Sequence, residues 1–298
     1  IGAVRTFECP VSDRERFIQQ LIVREGLPVP DVYGRADLMF TLAKVVKAEA
    51  REAFVFLPFD HVTEVVALGG QIHDGDELSG PRGKTGIYLS FGDLLQAEVP
   101  TQVGIERMDN IIELCKWCAC EGLSVFIEGS GPVNVLSGLM EWRDLVRAAR
   151  KDRRKLLRVI RFVGDFLIRY YTQLSLAGVA VIGIDDSVGD ADFLGGHRLK
   201  LYARHILKPF LKSLEQALGG RTLIHLCPKG TSALVEAGCA RLVPIGADTK
   251  RQTYEQIVHD CVGQVGCMGQ YCYKDMKRLV SSREVYSVVW NIGRTGKK

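Results

Sequence analysis

Short apolar runs and helix-length amphipathic stretches take turns along almost the whole of this chain, and that rhythm limits the folds open to it. The runs are "AFVFLPFD" (53–60), "LSVFIEGSG" (123–131), "VAVIGIDDS" (179–187), "TLIHLCPKG" (222–230), "ARLVPIGAD" (240–248) and "VGQVGCMGQ" (262–270). Each is apolar on both faces and stops at Gly, Pro or a charge, as strands buried in a parallel sheet do. Between them, 35–50, 107–122, 154–178 and 199–220 repeat apolar residues every three or four positions, the mark of a helix with one buried stripe. A shorter helix is expected at 231–238. Sustained alternation of this kind means a parallel α/β fold. Six units without a Pro-, Gly- or Ser-rich linker predict one domain over 1–298, a (β/α)8 TIM-type barrel missing or modified at its C-terminal strand–helix unit. About 1–30 reads as an N-terminal extension, and about 69–90 as an irregular insertion or hairpin.

Composition narrows the function classes. With 47% hydrophobic residues in 298, the chain can bury a large core. No run approaches the ~18 apolar residues of a membrane span, and "IGAVRTFECP" lacks the layout of a signal peptide. It opens on Ile1 rather than Met, as expected where the natural start is missing. The net charge of +4 is modest. The basic run "RAARKDRRKLLRVIR" (147–161) carries helical apolar spacing and reads as a solvated helix face, with an acidic partner surface as the alternative. Nucleic-acid binding is not supported. Nine cysteines in no even spacing argue against a secreted disulfide framework and for a cytoplasmic setting.

In such barrels chemistry gathers at the C-terminal ends of the strands. Those ends offer Asp60 and His61, then Glu128, Asp185 and Asp186, His225 and Cys227, Asp248 and Cys267. Singly, an Asp after a strand is often a helix cap; together they point to a polar, ligating cavity. His225 and Cys227 are two apart on one strand, so they share a face and can chelate one ion. Imidazole and thiolate are usual zinc ligands. On spacing alone, a buried thiol beside a hydrogen-bonded His is the plainer account. "CKWCAC" (Cys115, Cys118, Cys120) lies inside a helix with no second cysteine pair at zinc-ribbon distance, and reads as small buried residues. Cys239, Cys261 and Cys272 read likewise. "EGSGPVNVLSG" (128–138) has neither GxGxxG nor GK[ST] spacing, and reads as a turn shaping the barrel mouth.

Over roughly residues 30–290 these stretches resemble the uroporphyrinogen decarboxylase superfamily, and within it the zinc-dependent corrinoid methyltransferases. "EGSGPVNVLSGLM" is similar to the family's Gly-Pro turn and helix. "AGVAVIGIDDSVGDADFLGGHRLKLYARHILKPFLKSL" is similar to its strand ending in Asp, which maps onto Asp186. "TLIHLCPKGTSALVEAGCARLVPIGAD" is similar to its HxC strand, short helix and next strand. The decarboxylase branch carries an "MRQAGR"-like segment and no HxC; this chain has the reverse. The resemblance implies a methyltransferase moving a methyl group between a small substrate (a methyl ether, methylated amine or alcohol, or thiol) and the corrinoid of a partner protein. It implies zinc on His225 and Cys227, and Asp186 orienting substrate or acting as acid/base. The family's further Cys after the last strand has no counterpart beyond Cys272. Cys267 is the substitute by position, and Glu128 is a second catalytic candidate that serves as an oxygen ligand displaced by substrate. No DxHxxG cobalamin signature occurs, so the corrinoid belongs to the partner. The alternative is a metal-free decarboxylase of a porphyrinogen-like polycarboxylate, which requires several inward arginines at the mouth. A non-catalytic barrel would instead show an apolar mouth.

Overall fold

A strand without polar alternation is stable only where both its faces are covered, and the apolar runs meet that condition. The computed structural model describes residues 13–76, 78–84, 86–96, 106–186 and 196–291. The first part of the expected N-terminal extension and the tail "IGRTGKK" lie outside the described residues. In chain order the strands are β1 (Val55–Leu57), β2 (Gln71–His73), β3 (Arg82–Lys84), β4 (Val125–Ser130), β5 (Val181–Asp185) and β6 (Leu223–Leu226). They continue with β7 (Ala240–Pro244), β8 (Arg251–Thr253), β9 (Cys267–Met268), β10 (Leu279–Ser281) and β11 (Tyr286–Trp290). Among the described residues, one seven-stranded sheet runs β1-β4-β5-β6-β9-β11-β7.

From β1 to β9 all neighbours in that order are parallel, the α/β arrangement that the alternating segments require. The helices Ala36–Ala50, Glu106–Cys120, Arg153–Leu176 and Pro228–Glu236 fall on the expected stretches. So does the pair Gly196–Tyr202 and Lys208–Leu218, joined by a π turn at Ala203–Leu207. The C-terminal unit is modified: β11 enters antiparallel between β9 and β7. Among the described residues β1 and β7 end the sheet and are not hydrogen-bonded to each other. Segment 69–90 contains the antiparallel pair β2–β3, the hairpin form of the expected insertion. The small β8–β10 ladder is an addition the sequence pattern does not announce.

Strand alternation sorts the core into layers. Ile127, Ile182, Ile184, Ile224 and Leu226 face the helix side, among Leu114, Val163, Leu167 and Leu211. Phe56, Phe126, Val181, Leu223 and Met268 face the other way, against Tyr254 and Ile257 of the short helix Tyr254–Asp260. Each such side chain contributes about 1.5–3 kcal/mol on burial, so neither face tolerates a register slip. Within the expected extension, helix Arg14–Arg24 packs Ile18, Leu21 and Ile22 on Val32, Tyr33 and Leu42. That helix brings Arg14 to the strand ends described next.

Candidate active site

The face that carries Phe126 and Leu223 also carries the polar residues at the C-terminal strand ends. Register aligns Glu128 with Gly183 and Gly183 with His225, so these three share one level. Two strand spacings, roughly 10 Å of backbone, therefore separate Glu128 from His225. Glycine at 183 leaves room that the Phe126 ring fills, since a Cβ there would lie 2.7 Å from Phe126 Cε1. One level higher, the Cys227 amide donates to the Ile184 carbonyl at 3.0 Å and brings Cys227 alongside Asp185.

His225 is buried, with Nε2 3.0 Å from the Tyr254 hydroxyl and its ring against Phe126 and Tyr254. Its Nδ1 is buried without a hydrogen-bond partner. Burial lowers its pKa to about 4, so the ring is neutral at neutral pH, the form that binds metals. Cys227 is half-buried and precedes the helix Pro228–Glu236. Burial first, and the Asp185 charge second, push its thiol up to about 12, with Cys272 a smaller contributor. A thiol held there stays protonated unless a cation joins it. Asp185 keeps one buried carboxylate oxygen without a partner. Tyr273 links the halves of the mouth: its pKa is raised by burial, then by Glu128, Asp185, Cys272 and Cys227.

Glu128 opens on a cavity of about 120 Å³ with Phe56, Arg14, Arg82, Tyr273 and Lys274 in its lining. Burial raises its carboxyl pKa, and His61 Nε2 stands 4.0 Å from it. Arg14 pairs with Glu52 and lies over the Phe56 ring at 4.7 Å; Arg82 pairs with Glu15. Asp60 lines the cavity too but is held by the Arg107 guanidinium at 2.7 Å and the Val62 amide at 2.9 Å, a structural arrangement. Asp248 lies away from the site and accepts from its neighbour Lys250 N at 2.8 Å.

Two predicted residues stand differently from their expected roles. Asp186 is buried and committed: the Asn134 amide donates to one oxygen at 2.7 Å and the Tyr202 hydroxyl to the other at 2.6 Å. The Asn134 bond caps the helix Pro132–Leu139, and Gly131 permits it, since a Cβ there would lie 2.4 Å from Asp186 Cγ. Alternation along β5 makes Asp185 the acid that faces the mouth. Cys267 is the second such residue. It pairs with Ile224 and packs with Ile224 and Leu226 on the helix side, while its neighbour Met268 pairs with His225. An odd register step turns Cys267 away from His225, so the structure does not bring it to the other expected ligands.

The donors at the mouth suit zinc in kind: an unpartnered imidazole nitrogen, the Cys227 thiol and an unpartnered Asp185 oxygen, with Cys272 close enough to act on Cys227. Among the described residues no three His, Cys, Asp or Glu side chains are grouped to hold one ion. Zinc binding therefore asks for side-chain movement within this cluster. Sequence reasoning passed over Asp185 and Cys272 as roles, and missed Tyr273, Arg14 and Lys274. The alternation of β5 could have found Asp185. The others come from a helix and loops that no local spacing ties to the strands.

The profile described as Uroporphyrinogen decarboxylase (URO-D) matches residues 17–270. Among solved structures, a methyltransferase from Methanosarcina mazei is similar in fold, with a TM-score of 0.63 and 23% sequence identity. The likeness covers 74% of this chain and 65% of that one, so this chain spans less than two thirds of that methyltransferase. No curated protein matches. A profile covering most of the chain, laid over an α/β sheet with its polar residues at the strand ends, makes this chain a member of the uroporphyrinogen decarboxylase family.

Proposed function

We propose that this chain is a zinc-dependent methyltransferase that exchanges a methyl group between a small substrate and a corrinoid held by a partner protein. The observation that carries the reading is His225 on β6 and Cys227 just past its end, both at the mouth, with His225 Nδ1 buried and unpartnered. His225 and Cys227 would hold the metal, and Cys272 or Asp185, both near enough to Cys227 to raise its thiol pKa, would supply a third donor after side-chain movement. When bound, zinc would supply a Lewis acid that makes a thiol more acidic or polarises an ether oxygen. The chain's own groups do the rest. Neutral His225 needs no proton released to serve as a ligand. Cys227 must release its proton, and Asp185 alongside is the acceptor that its position offers. Glu128, whose carboxyl pKa burial raises, would bind or orient substrate with His61 and Tyr273. That the neighbour of similar fold is named a methyltransferase supports the reading.

A metal-free decarboxylase of a polycarboxylate is favoured by a different observation: Arg14, Arg82 and Lys274 line the cavity beside Glu128. Arg14 and Arg82 are already paired with acids, which weakens that grip. The test is demethylation of methylcobalamin by a thiol, followed by its visible spectrum, with zinc-loaded protein. Methyl transfer that Cys227→Ser reduces by at least about a hundredfold is expected. Absence of transfer alongside release of carbon dioxide from a porphyrinogen-like substrate would reverse the order of the two readings.

A further inference from the structure

A second cavity lies away from the mouth, on the helix layer, and takes no part in the reaction above. It encloses about 340 Å³, within the about 300–1,000 Å³ typical of small-molecule sites. Its apolar wall includes Val133 and Leu136 of the helix Pro132–Leu139, Leu156 and Ile160 of the helix Arg153–Leu176, and Ile206 of the π turn. Short π segments inside helices are frequent at functional sites.

Among the described residues the charged lining is of one sign. Arg150, Arg153, Arg198 and His205 stand at this cavity, all four exposed, and no described carboxylate lines it. Asp152, between two of them in sequence, is turned to its own helix and accepts from the Lys155 amide at 2.9 Å. A second observation points the same way. The 24-residue helix Arg153–Leu176 opens on Arg153, Arg154 and Lys155 with no acidic residue in its first turn. Asp152 already caps that end by accepting from the Lys155 amide, but the three cations outnumber it, and cations at the positive end of a helix dipole are unfavourable. This is the basic run 147–161, and one flank of it faces an apolar cavity rather than open solvent alone.

We infer that this cavity binds an amphiphile with one anionic head, of the long-chain carboxylate class. The tail lies among Leu136, Leu156, Ile160 and Ile206, and the head sits between Arg150, Arg153 and Arg198. The ring of Tyr202 also lines the cavity, and its hydroxyl donates to Asp186 at 2.6 Å, so an occupant would touch the residue that holds the strand end in place. Binding at this cavity requires neither zinc nor methyl transfer.

The test titrates the purified chain with monomeric dodecanoate, by calorimetry and by Trp142 fluorescence, beside dodecanol, inorganic phosphate and anionic phospholipid vesicles. Saturable binding of about one dodecanoate per chain is expected, with dodecanol and phosphate each at least about tenfold weaker. The double variant Arg153→Ala/Arg198→Ala should weaken dodecanoate by about tenfold or more. Both positions are exposed, and circular dichroism verifies the fold. Ile206→Trp, which fills the cavity without removing charge, should also abolish binding. No saturable binding, equal affinity for dodecanol, an unchanged double variant, or binding to vesicles alone would each overturn the inference.

Discussion

Asp186 takes a hydrogen bond on each oxygen, from Tyr202 and from the Asn134 amide. Both donors favour the ionised carboxylate, yet burial outweighs them and lifts the pKa to about 7 from an ordinary 3.8. The folded chain therefore keeps a proton that the unfolded chain loses above about pH 4. The stability this group contributes is complete below that pH and is lost as pH rises through about 7, an effect on the order of 4 kcal/mol. Asp186→Asn should flatten the plot of thermal midpoint against pH across this interval; parallel plots for the two proteins would mean that the carboxyl is ionised throughout. The Asp-Asp pair at the end of β5 shows how far sequence reaches at this scale. That an acid sits at the strand end was legible. Which of the two faces the mouth depends on where the strand stops, and the family resemblance pointed to Asp186 while the alternation of the strand points to Asp185. His225 and Cys227 were legible because two-residue spacing on a strand is itself geometric information.

Between elements, register decides more than composition. Cys267 ends an apolar run in the same manner as Cys227, yet its pairing with Ile224 sends it to the helix side. Cys267→Ser should lower stability by about 1–3 kcal/mol by burying a hydroxyl among apolar groups, with metal content unchanged; loss of metal in that variant would restore Cys267 to the ligand set. The contact between β5 and the helix Pro132–Leu139 gives a second test. Asp186 is held at both oxygens and cannot yield to a Cβ at residue 131, so Gly131→Ala should cost about 2 kcal/mol or more in urea unfolding. A change within error would mean that the turn relaxes freely. The strand–helix units were legible because parallel strands buried on both faces leave unbroken apolar runs. β11 was not: it is antiparallel, only partly buried, and reads as a weak alternation near the chain's end.

Across the molecule, the family profile, the parallel sheet from β1 to β9 and the polar strand ends agree on where chemistry belongs. Among the described residues no helix is long and apolar enough to cross a membrane. The mouth divides into a thiol–imidazole half around His225, Cys227, Asp185 and Cys272, and a carboxylate–cation half around Glu128, Arg14 and Lys274, with Tyr273 between them. The proposed methyl transfer would use that division, with one half holding metal and the other the small substrate. It was invisible in sequence because the second half is assembled from the helix Arg14–Arg24 and the loop after β9, far apart along the chain. The most direct measurement of the central claim is elemental analysis of the purified chain beside Cys227→Ser. About one zinc per chain, lost in the variant, is the expected result. No bound metal in a folded, zinc-supplemented protein would contradict the claim and return His225 and Cys227 to the core.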